Sequence, residues 1–391
     1  MTVSIVTSLA LSGAPLDGPA AVSNWADISE YVHEIHPKRG RQSERTFTET
    51  GTLILGLDDS EGHFNAENEA SPFYPYADVG GVVKVEIAAN GTVYPVCVMY
   101  ADDCPPTSAA KVAVTSWSLA DGSVLLAGAN FPTAQTYPAE TTGAAVGHCL
   151  DALGWAGPRS IAAGTVQVQV VVAGDLDGVA LSGRIQTLCE IENGTFFWAA
   201  DGTPTFLDQD SRLALSSDVT FSDDYLGDEI GYLPPTLSRA RSLIENDWRI
   251  QVVGESERSA LDAASRDKYG PMTQHKTLPF FNADDATAAC QHRVAERMLP
   301  QTRLSALACP LVGDTAWATC LALEIGDAVL LKRTPGGGSQ RTDLMLLEGP
   351  SLDIIGASGT FTAVLSPAEA ASYWLLEDDN FGLLEETTFL W

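Results

Sequence analysis

The sequence predicts a mainly β protein with an inserted α+β module, and three observations carry that prediction. Stretches with a two-residue apolar period occupy both ends of the 391-residue chain. Helical periods begin between those ends, in residues 131–215. Glycine (34) and proline (21) are spread along the whole chain, as many short strands and turns require.

Residues 1–130 read as antiparallel β. "MTVSIVTSLALSGAPLDGPA" has no basic residue before Lys38 other than histidine, which argues for a strand and loop and against a signal peptide. In "GTLILGLDD", Leu53, Leu55 and Leu57 share one face. "VVKVEIAANGTVYPVCVMY" alternates Val83, Val85 and Ile87 with Lys84 and Glu86. It turns at Asn90-Gly91, a strong hairpin signal, and returns through Val93, Val96 and Val98. "KVAVTSWSLADGSVLL" continues the pattern to Leu126, and a small barrel or sandwich is the natural result.

Residues 131–215 change character. Val146, Cys149, Leu150 and Leu153 fall on one helix face, with Gly154 placed to end it. "TVQVQVVVAG" reads as a strand with Val166, Val168, Val170 and Val172 on one side. Leu181, Ile185 and Leu188 mark a second helix that closes near Asn193-Gly194. "TFFWAADGTPTFLDQDSR" reads as a hairpin around Asp201-Gly202.

Residues 216–365 return to β, with "DWRIQVVG", "LALEIGDAVLLKRT", "RTDLMLLEG" and "TFTAVLSPA" as strands and "PGGGSQ" as a hairpin tip. A helix is inserted near 284–299, where Ala286, Cys290, Val294 and Met298 share a face and Pro300 follows. The two β segments are candidate duplicates without a detectable residue-level repeat. Residues 366–391 are acidic and aromatic without helical period, and Trp374, Phe381, Phe389 and Trp391 call for a docking surface.

The charge is lopsided: 22 Lys+Arg against 51 Asp+Glu gives −29. Phosphate-backbone affinity comes mainly from Lys and Arg, so such a chain repels nucleic acid; plain solubility also accounts for the excess. The seven cysteines contain no C-x-x-C pair, and no disulfide framework or zinc site is implied. No apolar run is long enough for a helical membrane span.

Catalytic and metal motifs fail on inspection. A calcium EF-hand counted from Asp58 needs an oxygen ligand at position 5 and Gly at position 6, where Gly62 and His63 stand. His33 and His36 form H-x-x-H without a third ligand, in a segment that reads as extended. There is no G-x-S-x-G, H-E-x-x-H or Walker loop, and "PGGGS" lacks the lysine of a phosphate loop. Phe196, Phe197 and Trp198 suggest either carbohydrate stacking or one buried hairpin face. No catalytic, cofactor-binding or metal site is expected.

"WADISEYVHEIHPKRGRQSERTFTETGTLILGLDDSEGHFNAENEASPFYP" (Trp25–Pro75) resembles the opening of tail proteins from long-tailed phages of actinobacteria. The shared wording is a Trp-x-Asp start, an Arg-Gly-Arg, a Thr-Leu strand and the turn that holds Asp59, Glu61, Gly62, Phe64, Asn65, Asn68, Ser71 and Pro72. "CLDALGWAGPRSIAAGT", "EIENGTFFWAADGTPTFLDQDSR", "LEIGDAVLLKR" and the C-terminal stretch resemble later segments of the same proteins, so the likeness covers nearly the whole chain.

These proteins are similar to the tail-tip hub, a relative of the trimeric baseplate hub of contractile tails. The resemblance implies two tube-type β-barrels per chain (1–130 and 216–365), the inserted module between them (131–215) and a docking tail at 366–391. It implies a homotrimer in the virion tail, assembled in the host cytoplasm, which joins the distal tail protein or tail tube to fibre or tip proteins. The tape-measure protein's C-terminus would end there, and DNA would pass through transiently. An acidic wall would keep that DNA from sticking. Cell-wall cleavage is expected on another protein. The Asp58–Asn68 turn would be structural, its side chains bonding nearby backbone. Alternatives are a hexameric distal tail adaptor, a carbohydrate-binding adhesin and, least supported, a hydrolase.

Overall fold

A computed structural model describes residues 3–42, 47–106, 114–213, 217–224, 227, 229–355 and 358–368. The docking segment expected at 366–391 thus lies outside the described residues beyond Ala368.

Among the described residues, fourteen strands join one large, mainly antiparallel sheet. The first seven are β1 (Val3–Ala10), β2 (Trp25–Asp27), β3 (Val32–Lys38), β4 (Thr52–Asp58), β5 (Val82–Ala89), β6 (Thr92–Asp103) and β7 (Val114–Ala120). The second seven are β8 (Thr220–Ser222), β9 (Ile230–Gly231), β10 (Thr236–Ser238), β11 (Arg303–Pro310), β12 (Ala328–Arg333), β13 (Arg341–Ile355) and β14 (Ser358–Pro367). The alternation read in β4 and β5 places Leu53, Leu55, Leu57, Val83, Val85 and Ile87 in the core, each at most 1% exposed. The Asn90-Gly91 turn carries positive φ at both residues, as its tight hairpin needs.

The two sets repeat one another in strand order. The first runs β2-β1-β5-β6-β7-β4-β3; the second runs β9-β8-β12-β13-β14-β11-β10, the same order shifted by seven. Registers repeat too: Lys38 pairs with Thr52 and Pro37 with Leu53, while Ser238 pairs with Arg303 and Leu237 with Leu304. A one-residue bulge falls at Asp102 in β6 and at Glu348 in β13. Only the first strand departs, since β1 runs antiparallel to β5 whereas β8 runs parallel to β12. Ile28 N–H donates to Thr7 O and extends the β1/β2 ladder, while in the second half Leu233 N–H, just after β9, reaches across to Ala308 O of β11.

A second core lies outside this sheet. It unites the helices Thr142–Leu153 and Leu181–Glu192 with the strand Asp247–Val252 and the helix Ala283–Arg297. The β stretch expected over 216–365 is therefore interrupted: Asp247–Val252, Glu257–Leu261 and Thr273–Leu278 form their own three-stranded sheet. Three other readings are corrected. Val168 and Val171 are buried while Val170 and Val172 are exposed, so the valine run is a short strand followed by a twist and not one continuous face. Ser123–Ala127 closes the stretch after β7 as a helical turn. Gly313–Ala322 is a helix that buries Trp317 and Cys320, and strand begins only at Ala328.

Candidate functional site

The two sheet halves meet along a seam where β3 pairs antiparallel with the end of β13, Lys38 opposite Ser351 and Ile35 opposite Ile354. β13 overruns its partner β12, and β3 takes the backbone edge left there. Directly after β3 comes Arg39-Gly40-Arg41, and all three residues work at the seam. Arg39 N–H donates to Pro350 O and Arg41 N–H to Glu348 O. Gly40 sits at φ +85, and a Cβ there would lie 2.2 Å from Glu348 O, so only glycine brings the chain this close.

The side chains form two clasps. Arg41 Nε donates to Glu348 Oε2 at 2.6 Å, while Arg212 Nη2 and Ser366 Oγ donate to Oε1 at 2.8 and 2.5 Å. Arg212 also reaches Thr195 of the inserted module. Arg39 Nη1 donates to Glu324 Oε1 at 2.7 Å, and Glu324 Oε2 accepts from Ala200 N–H at 2.8 Å. The first half, the second half and the module thus converge on two carboxylates. Glu348 is 1% exposed. Burial alone would raise its pKa; the Arg212 and Arg41 charges and the bonds from Arg41 and Ser366 outweigh that and hold it at about 2. A buried pair of this kind is costly to break from one side, by about 3–5 kcal/mol.

Charged groups also cross the outer face of the seam. His36 Nδ1 lies 3.0 Å from Asp353 Oδ1, and its Nε2 lies 3.7 Å from Glu34. Both H-x-x-H residues stand on β3, His36 half-buried and His33 exposed at a one-residue bulge between Val32 and Glu34.

The Asp58–Asn68 turn holds itself together. Asp58 Oδ1 accepts from Ser60 N–H, Asp59 Oδ1 from Phe64 N–H, and Asn65 Oδ1 from Glu67 N–H. Asn68 Nδ2 donates to Gly62 O. The turn seats Phe64 against Trp117 and Phe73, closing one end of the first core. Phe196, Phe197 and Trp198 are each at most 8% exposed, so they offer no stacking platform. All seven cysteines are free and buried, and no group of three metal-binding side chains occurs among the described residues. No described helix is long and apolar enough to cross a membrane.

Arg39-Gly40-Arg41 is visible in the sequence as part of the resemblance, whereas its partners Glu324 and Glu348 lie far off in the chain and no local motif marks them. A signal is present in the repeat: Arg239-Ala240-Arg241 follows β10 as Arg39-Gly40-Arg41 follows β3, and "ADVGG" (77–81) precedes β5 as "LEIGD" (323–327) precedes β12.

No protein-family model and no curated protein matches the sequence. Solved structures do match the fold. The 43 kDa tail protein of prophage MuSo2 from Shewanella oneidensis aligns over 94% of this chain and 99% of its own, at 13% identity and a TM-score of 0.59. A tail protein from Neisseria meningitidis MC58 aligns over 94% and 97%, at 9% identity and a TM-score of 0.59. Prophage tail protein gp18 from Listeria monocytogenes EGD-e aligns over 94% and 95%, at 9% identity and a TM-score of 0.51. At these identities the likeness is one of fold, shared along essentially the whole length of each chain.

Proposed function

We propose that this chain is a non-enzymatic structural protein of a phage tail, the tail-tip or baseplate hub of a long-tailed phage. The observation that carries the reading is the repeated strand order within one chain, bound by a buried ionic seam. We read each half as a tube-type β-barrel. Three chains then present six barrels in one closed ring and match a six-fold tail tube above. The shared fold of the prophage tail proteins supports the same assignment.

In this role the distal tail protein or tail tube stacks on one side of the ring, and fibre or tip proteins attach on the other. The tape-measure protein's C-terminus ends in the channel, and the residues after Ala368 dock a neighbour. The charge of −29 keeps passing DNA from binding the wall. The test is a reconstruction of the intact phage particle. Density for this chain at the distal end of the tail, threefold about its axis, is the expected result. Six copies around the axis make it the distal adaptor, and density away from the axis makes it a peripheral adhesin.

A further inference from the structure

The repeat makes the open ends of the chain readable, because each seam residue has a counterpart. Leu347 exchanges backbone bonds with Gly326 and Asp327, as Ala101 does with Gly80 and Gly81. Together with the shared bulge, this register equates Glu348 with Asp102 and Glu324 with Asp78. The β3/β4 and β10/β11 registers likewise equate Arg39 and Arg41 with Arg239 and Arg241. Inside the chain, the first half's two arginines clasp the second half's two acids. The second half's own arginines and the first half's own acids are left facing outward.

Burial follows the same division. Arg39, Arg41 and Glu348 are buried at the seam, and Arg239, Arg241 and Asp102 are exposed. Pro37 is buried and its counterpart Leu237 is 47% exposed; Ile325 is 3% exposed and its counterpart Val79 is 64% exposed. One end of the chain is thus basic with an uncovered leucine, and the other acidic with an uncovered valine.

We propose that the occupant of each end is a second copy of this chain, joined by a copy of the internal seam. β10 pairs with the edge of β6 near Cys104 of the next copy, Arg241 engages that copy's Asp102, and Arg239 its Asp78. Opposite charges meet at both contacts, and the interface is head-to-tail, the kind whose repetition forms a ring when the rotation closes. The clasp differs from the internal seam in its backbone: Pro105, which has no N–H, stands where Ser351 pairs with β3. Ala240 sits at φ −85 where Gly40 sits at +85, so its backbone does not press into the neighbour as Gly40 does, and the contact leans on side chains. Arg241 is already oriented by donating from Nε to Tyr269 O at 2.5 Å. The inference rests on the ring reading above for the number of copies, but not for the residues that meet.

The experiment is sedimentation of the full chain with a charge swap. Wild type is expected at three copies. Arg239→Glu with Arg241→Glu is expected to weaken association about a hundredfold or more and leave a folded 41.4-kDa monomer. Adding Asp78→Arg and Asp102→Arg to the same chain is expected to restore three copies. A double variant that still assembles like wild type, or a fourfold variant that stays monomeric, overturns the clasp while leaving the hub reading intact. A wild type that forms six copies, with the swap behaving as described, keeps the clasp and removes the hub. A monomeric wild type removes both.

Discussion

Arg41 and Glu348 lie 307 positions apart in the chain, yet Arg41 Nε is 2.6 Å from Glu348 Oε2 and both side chains are buried. Their contact ties the first sheet half to the second, and Arg212 adds the inserted module to the same carboxylate. A buried ion pair of this kind favours one register, because slippage leaves a charge unpaired.

The clasp predicts acid sensitivity of a definite sign. Glu348 has a folded-state pKa of about 2, below its ordinary 4.5, so its contribution is complete above about pH 4.5 and lost as pH falls toward 2. Glu348→Gln should flatten stability across that window, measured as urea unfolding midpoint against pH. An unchanged profile would show that the clasp carries little of the seam's stability.

Arg41→Ala leaves Glu348 buried with one cation fewer. A loss of about 3–5 kcal/mol is expected, seen by chemical denaturation. A loss below about 1 kcal/mol is what an exposed surface pair would give and would contradict the buried geometry.

Gly40→Ala should be much worse than Gly91→Ala. Both glycines have positive φ, but a Cβ at 91 meets nothing within 4 Å, whereas at 40 it strikes Glu348 O. The Gly91 variant should lose about 1–3 kcal/mol from backbone strain alone. The Gly40 variant should lose more and open the seam, read as faster amide exchange in β3 and β13. Equal losses would contradict the close approach.

Asp59→Ala removes the buried acceptor for Phe64 N–H and should cost about 1–3 kcal/mol. Calcium should leave the melting temperature of the wild type unchanged, because these carboxylates and amides are spent on the turn's own backbone. A calcium-dependent rise in melting temperature would revive the ion-loop reading.

The cysteines should be silent in the native state. All seven are buried, and burial pushes the thiols of Cys97, Cys104, Cys149, Cys189 and Cys309 up to about 12. A thiol reagent should count none quickly at neutral pH and seven after denaturation. A fast-reacting native thiol would contradict the packing.

What was legible in the sequence follows from how local each signal is. Strand alternation in β4 and β5, the Asn90-Gly91 turn and the helix face of Val146, Cys149 and Leu150 are written in neighbouring residues, and they appear as read. The valine run after Thr165 misled because valine suits a strand on either face, and the bridges to Tyr137 and Phe280 decide which side each residue turns. The helix at Gly313–Ala322 was hidden because its apolar residues continue into the strand that follows. The seam was the least legible part, since its partners are separated by more than 280 positions and only the fold sets Arg39 beside Glu324. The repeat was equally hidden. Its halves share strand order and register, but few residues beyond the paired arginines and the acid-x-glycine turns.

The most direct test of the central claim is the native mass of the full wild-type chain. A closed assembly of three 41.4-kDa chains, with no larger or open-ended series, is the predicted result. An assembly of six, or a monomer at every concentration, would contradict a trimeric hub built from two barrels per chain.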